Sequence, residues 1–435
     1  MSSLRRPTVV AGVLGTLMGI SGMGSAAVAV ALPDLTDDLD VSATHAAWVL
    51  SVYPLMVAVS TVAYGRLGDR HGVRAPLALG VVLLVCGGVG GALAPSFGWV
   101  LVARLVQGAG AAAAPTLTIT ALRVLYPVEL RVRVLPWAIG TALAVTACGP
   151  VLGGALADSL GWRATMLLPV VSLVSLIWLW RLLPHGGSGA AVDLLGASLV
   201  SLVAGGVFLV VQSIALGWWS AALGGAVVAL AAPACRWWVD RHPSGFLPHA
   251  ILTEPGVVMP ALAASGVAAV WFALLVAVPV MLDAAGWSAV LIGAAVLPGA
   301  LLGTALSPLV GRRLSTAPPR AALTVGLTVA ASALAALAVA DVARAPGLVV
   351  GASALAYVGY AFAQPAMNVA VSAAVESASD GAATGFATML FFLAGGMGAA
   401  VGGLGPAVGV AWTAVLLLGF PVAGALALRL WVGER

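Results

Sequence analysis

The sequence contains no lysine, and only 8% of its 435 residues are charged, against about 25% in soluble domains. A chain with so little charge cannot coat a fold in which 62% of the residues are hydrophobic. With a mean hydropathy of +1.11, lipid must be its solvent. Cysteine is also scarce: Cys86, Cys148 and Cys235 lie inside apolar stretches, an odd number that builds no disulfide framework. The five histidines, His45, His71, His185, His242 and His249, fall in turns or at the ends of apolar runs. No pair has metal-ligand spacing within a helix, and the sequence lacks a Walker motif. Neither an enzyme, a metal site nor a cofactor is expected. All nineteen basic residues are arginine and raise the isoelectric point to 9.3. They are scattered singly through short turns, without the basic clusters and interleaved aromatics of a nucleic-acid footprint.

Apolar runs fill most of the chain. About 20 residues cross a hydrocarbon core of about 30 Å, and the runs place spans near 9–32, 45–64, 76–94, 99–122, 136–157, 164–183, 194–216, 220–236, 256–281, 288–310, 321–340, 346–371, 382–403 and 408–430. The expected fold class is all-α integral membrane with fourteen transmembrane helices. The first run follows Arg5 and Arg6 as a secretory signal would, but it is too long for a signal's apolar core and leads straight into a second span, so a retained helix is expected. With the N-terminus inside, sixteen arginines fall on the cytoplasmic side and only Arg163 and Arg344 face out. That asymmetry is what a correct topology shows. It requires an even number of spans and places both termini in the cytoplasm of a cell membrane.

The first six runs (9–183) and the last six (256–430) have equal length, which gives a 6+2+6 organisation: a six-helix bundle over 1–183, a two-helix insert over 184–255 and a second six-helix bundle over 256–435. The turn from Gly65 to Arg74 has a degraded echo from Gly311 to Arg320, and the Gly- and Pro-containing fourth run has a counterpart near Gly359 and Pro365. Landmarks that recur in the same orientation fit two pseudo-symmetric halves.

Three segments carry specific chemistry. In Gly65-Arg-Leu-Gly-Asp69-Arg70-His-Gly72-Val-Arg74, the inner glycines allow a tight turn, Asp69 can accept from a neighbouring helix N-terminus, and Arg70 and Arg74 can pair with carboxylates. In Leu101-Val-Ala-Arg104-Leu-Val-Gln107-Gly108-Ala-Gly110, Arg104 lies about 9 Å into its span at 1.5 Å per residue. A buried arginine needs a partner or water, so Arg104 is expected to line a central cavity. In the segment from Gly140 through Gly149-Pro150-Val-Leu-Gly153-Gly154, ahead of Gly161-Trp162-Arg163, the glycines permit close helix packing and Pro150 bends the helix.

These three segments resemble the motifs of the major facilitator superfamily. The first is similar to its cytoplasmic loop motif, matching at Gly65, Leu67, Asp69, Arg70, Gly72 and Arg74, which implies a gate that latches two halves. The third resembles the family's antiporter motif, which implies export rather than the alternative of a major facilitator importer. Trp48-Val-Leu-Ser-Val-Tyr53 and Asp193-Leu-Leu-Gly196 resemble the second- and seventh-helix starts of the fourteen-helix drug:proton antiporters. The resemblance implies the major facilitator fold and a proton-coupled efflux transporter of amphipathic small molecules. Its partners would be the bilayer, its substrate and protons, and it would work as a monomer driven by the proton gradient. The chain departs from that family in its first span, where Gly24 and Ala29 stand in place of the family's acid and amide.

With that acid missing, the acidic residues nearest the membrane are Asp34, Asp158 and Asp283, all at the outer edge. Asp34 is expected to carry protons, with its pKa depressed by Arg104. Polar stripes point to a substrate cavity: Tyr357, Tyr360, Gln364 and Asn368 share one helical face, as do Thr384, Thr388 and Phe391. Trp48, Tyr53 and Gln107 complete the expected cavity set.

Overall fold

The computed structural model describes residues 7–183, 186, 193–213, 217–242, 245, 249–313, 317–375 and 380–433. All of its regular elements are helical, with no strand among the described residues. Lipid offers no partner to a backbone N–H or C=O, so each apolar run closes its own hydrogen bonds as a helix. The first six spans are Pro7–Val30, Ala43–His71, Arg74–Ala92, Phe97–Ala111 with Ala113–Leu125, Val128–Ala147 with Gly149–Leu160, and Trp162–Leu179. The seventh and eighth are Leu194–Val211 and Trp218–Arg241, and the last six are Pro255–Ala284, Ala289–Arg313, Pro319–Ala343, Pro346–Ala374, Asp380–Gly402 and Val410–Gly433. The chain is a multi-pass membrane protein.

Thirteen of these helices are long and apolar enough to cross a membrane, and the seventh is a shorter apolar helix. The count is consistent with fourteen. The eighth run, less apolar in sequence, forms a 24-residue helix, and the seventh is described as a helix over Leu194–Val211. Two internal breaks lie beside proline, whereas Pro54, Pro260, Pro279, Pro365 and Pro421 sit inside continuous helices. The fourth span is interrupted at Ala112, three residues before Pro115, and the fifth at Cys148, just before Gly149 and Pro150. In each case the ring removes an N–H from the helical ladder.

The packing repeats with a shift of eight spans. The first span packs along the fifth as the ninth does along the thirteenth, and the third along the fourth as the eleventh does along the twelfth. The second against the fourth corresponds to the tenth against the twelfth. The first and last groups of six meet along two seams, second with thirteenth and fifth with tenth, which exchange under the same shift. The seventh and eighth spans pair with each other, and the seventh also lies against the second and thirteenth. Phe208 is its wedge, buried with Val52 and Leu55 against Leu393 and Met397.

The two ends of the helix array differ in charge. One, the acidic face, carries Asp34, Asp37, Asp38, Asp40, Asp158, Asp283 and Asp341, with Arg163 and Arg344 as the arginines among its described residues. The other, the basic face, carries Arg66, Arg70, Arg74, Arg181, Arg236, Arg241, Arg313, Arg320 and Arg429.

Candidate functional site

Arg104 is fully enclosed, with 0% of its surface exposed. It sits three residues from Gln107 on one face of the fourth span, and its guanidinium reaches three helices. Nε donates to the Val49 carbonyl at 2.9 Å, Nη1 to Gln107 Oε1 at 2.5 Å and Nη2 to Ser25 Oγ at 3.4 Å. The Tyr53 ring lies 4.2 Å from its Cζ, and the Tyr53 hydroxyl donates to the Ser21 carbonyl at 2.5 Å. Gln107 Nε2 donates on to the Met166 carbonyl of the sixth span at 3.4 Å. A buried cation costs several kcal/mol without compensation; here neutral acceptors and a π face supply it, and no carboxylate is among its partners. Arg104 therefore does not line an open cavity. It ties the first, second and fourth spans together from within.

Aromatic side chains gather on the other side of the molecule. Trp271 of the ninth span lies 4.5 Å from Tyr360, 5.7 Å from Tyr357 and 4.7 Å from Phe272 by ring centroids. Tyr360 continues to Phe391 at 5.5 Å, and Phe391 and Phe272 both meet Phe392. Tyr360, Gln364 and Asn368 are half-buried at helical spacing, while Leu348, Gly351 and Val369 are exposed on another side of the same span. Two polar atoms here are buried without a hydrogen-bond partner among the described residues: Trp271 Nε1 and Asn368 Oδ1. Tyr357, Tyr360, Gln364 and Phe391 were legible as polar or aromatic stripes. Trp271, Phe272 and Phe392 were not, although the adjacent Trp271 and Phe272, the two aromatics of the ninth span, were a usable signal.

At the acidic face the two groups of six spans touch backbone to backbone. Gly149 and Gly153 lie on the first span, where a Cβ at Gly153 would come within 2.5 Å of Ala27 Cα. Gly154 lies on the tenth span, where a Cβ would fall 2.8 Å from Val290 Cα, and the Pro150 carbonyl abuts Gly293. Gly140, the first glycine of the same motif, has nothing within 4 Å. Asp158 Oδ2 accepts from the Val290 N–H at 3.2 Å, a second link from fifth to tenth span. Nearby, Asp38 accepts from Arg163 Nη1 at 2.5 Å and Trp162 Nε1 at 3.1 Å, two bonds that hold its carboxyl below the usual range. The Gly161-Trp162-Arg163 corner thereby anchors the short helix Leu32–Leu39.

Asp34 sits on that helix, and no hydrogen bond or ion pair joins it to Arg104, whose partners lie elsewhere. The expected depression of its pKa is not met. Partial burial, and then the charges of Asp158, Asp283 and Asp37, push its carboxyl above the ordinary value of 3.8. Trp48 also departs from its expected place: it packs edge-on against Phe208 of the seventh span at 5.6 Å, apart from the aromatic group around Trp271.

At the basic face, Gly72 takes φ +76°, a left-handed turn that favours glycine, with the Gly186 carbonyl against its Cα. Gly68 faces Leu117, and Gly65 stands nearly open. Arg74 stacks over the Trp180 ring at 3.9 Å, Arg70 is exposed, and Arg66 donates to the Gly245 carbonyl. The Asp69 side chain lies outside the described residues. The described partners of this turn belong to the first six spans and to the links that flank the seventh and eighth.

Comparison with known proteins gives a consistent result. A family model described as Major Facilitator Superfamily matches residues 14–403. The chain is 30% identical over 319 residues to the multidrug resistance protein Stp of Mycobacterium tuberculosis, covering 69% of this chain and 57% of that protein. It is 30% identical over 252 residues to the tetracenomycin C resistance and export protein of Streptomyces glaucescens, covering 58% and 43%. The chain thus spans about half the length of these relatives. Among solved structures, a POT family transporter in complex with 5-aminolevulinic acid superposes with a TM-score of 0.73 at 14% identity, over 98% of this chain and 95% of that one. The xylose transporter XylE from E. coli, in a partially occluded inward open conformation, gives 0.65 at 15% identity over 99% and 97%.

Proposed function

The chain belongs to the major facilitator superfamily, and on that footing we propose that it exports amphipathic small molecules in exchange for protons, by alternating access between two six-helix bundles. The observation that carries this reading is the fifth span, whose Gly149–Gly154 segment packs on the first span with one face and across the seam on the tenth with another. A glycine-lined contact of this kind can close and reopen one end of the pathway with little side-chain rearrangement. Relatives named for drug resistance, antibiotic export and drug efflux support the direction. The repeated packing supports a division into residues 1–183, 184–255 and 256–435. The basic face is taken as cytoplasmic, with both termini there, because arginine concentrates on that side. One chain supplies both bundles, so a monomer suffices. Inverted membrane vesicles loaded with a dye panel under an imposed pH gradient test the function; gradient-dependent uptake is expected, and no flux of any compound would overturn it.

Asp34 is the proposed proton carrier at the acidic face. Because its folded pKa is raised, the protonated form is favoured when that face is closed. Charge repulsion with Asp37, Asp158 and Asp283 sets in as pH rises from about 4 through the raised pKa, and closure weakens with it. Arg163, a cation of this face, pairs with Asp38. Asp34→Asn is expected to flatten the pH dependence of efflux and slow gradient-driven export by about fivefold or more. Export that survives intact in this variant dismisses Asp34 as the carrier.

A further inference from the structure

Six of the chain's 28 aromatic residues form one continuous group: Trp271, Phe272, Tyr357, Tyr360, Phe391 and Phe392. Four of its contacts have interplanar angles between 69° and 79°, and a fifth is 88°. In these, the edge of one ring meets the face of the next, so most faces are already engaged within the group. Trp271 and Tyr360 differ: they are tilted by 44° at 4.5 Å, closer to offset stacking than to the edge-to-face pattern of the other pairs. Within this group Trp271 Nε1–H is buried with no acceptor among the described residues. Buried donors of this kind are normally paired, and Trp donates only. Along the same face, Gln364 and then Asn368 continue from Tyr360, and Asn368 Oδ1 is also buried with no partner. Eight residues separate Tyr360 from Asn368, about 12 Å along the helix.

Charge narrows the chemistry further. No acidic residue lies in the interior of the ninth, twelfth or thirteenth span, and among the described residues of the first six spans the fully buried charge is the cation Arg104. Nothing at this depth offsets a fixed positive charge on a ligand.

Resting on the transport reading above, we infer that this group is a subsite for elongated, flat aromatic molecules that carry no fixed positive charge, with a ligand carbonyl or similar acceptor paired to Trp271 Nε1–H and a ligand hydroxyl or similar donor paired to Asn368. The ring system stacks at Trp271 and Tyr360. Trp271 is then a specificity-determining residue rather than part of the proton machinery.

The test is binding to the full chain in lipid nanodiscs, without a gradient, using 2-hydroxyanthraquinone as the neutral flat probe and ethidium as the flat cation. The neutral probe is expected to bind more tightly. Trp271→Phe keeps a flat ring and removes the donor; it should weaken hydroxyanthraquinone by about tenfold while leaving ethidium unchanged, with the melting temperature as the folding control. Asn368→Leu should weaken the same probe independently. Tighter binding of ethidium, or equal affinity of the parent and Trp271→Phe for hydroxyanthraquinone, overturns the inference. Export of other compounds without any binding of the flat neutral probe defeats the subsite and leaves the transport reading standing. Selective binding without gradient-driven flux defeats transport and leaves the subsite standing.

Discussion

Gly154→Ala is expected to lower gradient-driven export by about one to two orders of magnitude while the protein still inserts and folds. The reason is steric and local. A Cβ at this position would lie 2.6 Å from the Ala289 carbonyl carbon and 2.8 Å from Val290 Cα, and backbone cannot swing aside as a side chain can. Overpacking costs about 1–3 kcal/mol, and here the cost falls on the arrangement in which fifth and tenth spans meet. Separating the bundles at the acidic face relieves it, so the population shifts away from the closed state. Gly153→Ala has a different expected result. Its Cβ would strike Ala27 of the first span, inside a single bundle, so the loss should appear as a lower melting temperature. Gly140→Ala meets nothing and should export at nearly the parent rate. Accessibility of an introduced cysteine at the acidic face, read beside vesicle flux, separates the three; a Gly154→Ala protein with parental flux and accessibility removes this contact from the mechanism.

The second large effect is at Arg104. Breaking a buried ion pair by removing one partner strands a charge, but Arg104 has no carboxylate partner, so replacing it leaves only neutral groups behind. Removing the charge ends its desolvation cost, while the Val49 carbonyl, Gln107 Oε1 and Ser25 Oγ lose their donor, at about 1–3 kcal/mol for a group left unsatisfied, so the two effects oppose each other. Arg104→Met is therefore expected to melt within a few degrees of the parent, or above it, and yet to export about a hundredfold more slowly. The guanidinium fork is what joins Ser25, Val49 and Gln107 across three spans, and a bundle that must rock as one body loses that tie. Arg104→Lys should recover little, since an ammonium is a point charge without the fork. Arg104→Ala adds a cavity and should lose stability as well. An Arg104→Met protein that exports normally shows the arginine to be dispensable.

Much of this architecture was legible without coordinates. The fourteen apolar runs agree with the helices to within a few residues at most ends, the fifth span is interrupted beside Pro150 where a bend was read, and the charge asymmetry of the two faces is written in the arginine positions. Spanning a bilayer depends on the length and hydropathy of each segment alone, and the backbone then has no choice but helix. Facing is a different matter. Lipid tails are as apolar as leucine, so no hydrophobic gradient distinguishes a helix side that meets another helix from one that meets lipid. The sequence therefore identified Arg104, Asp34 and Trp48 as candidates and could not say what each would touch. Tertiary packing decided that Arg104 is sealed among the first, second and fourth spans, that Asp34 answers to Asp158 and Asp283, and that Trp48 meets the seventh span. It also brought Trp271, Phe272 and Phe392 to Tyr360 and Phe391. Those encounters depend on how each helix is turned about its own axis, and in a membrane only contact with the neighbouring helices sets that rotation.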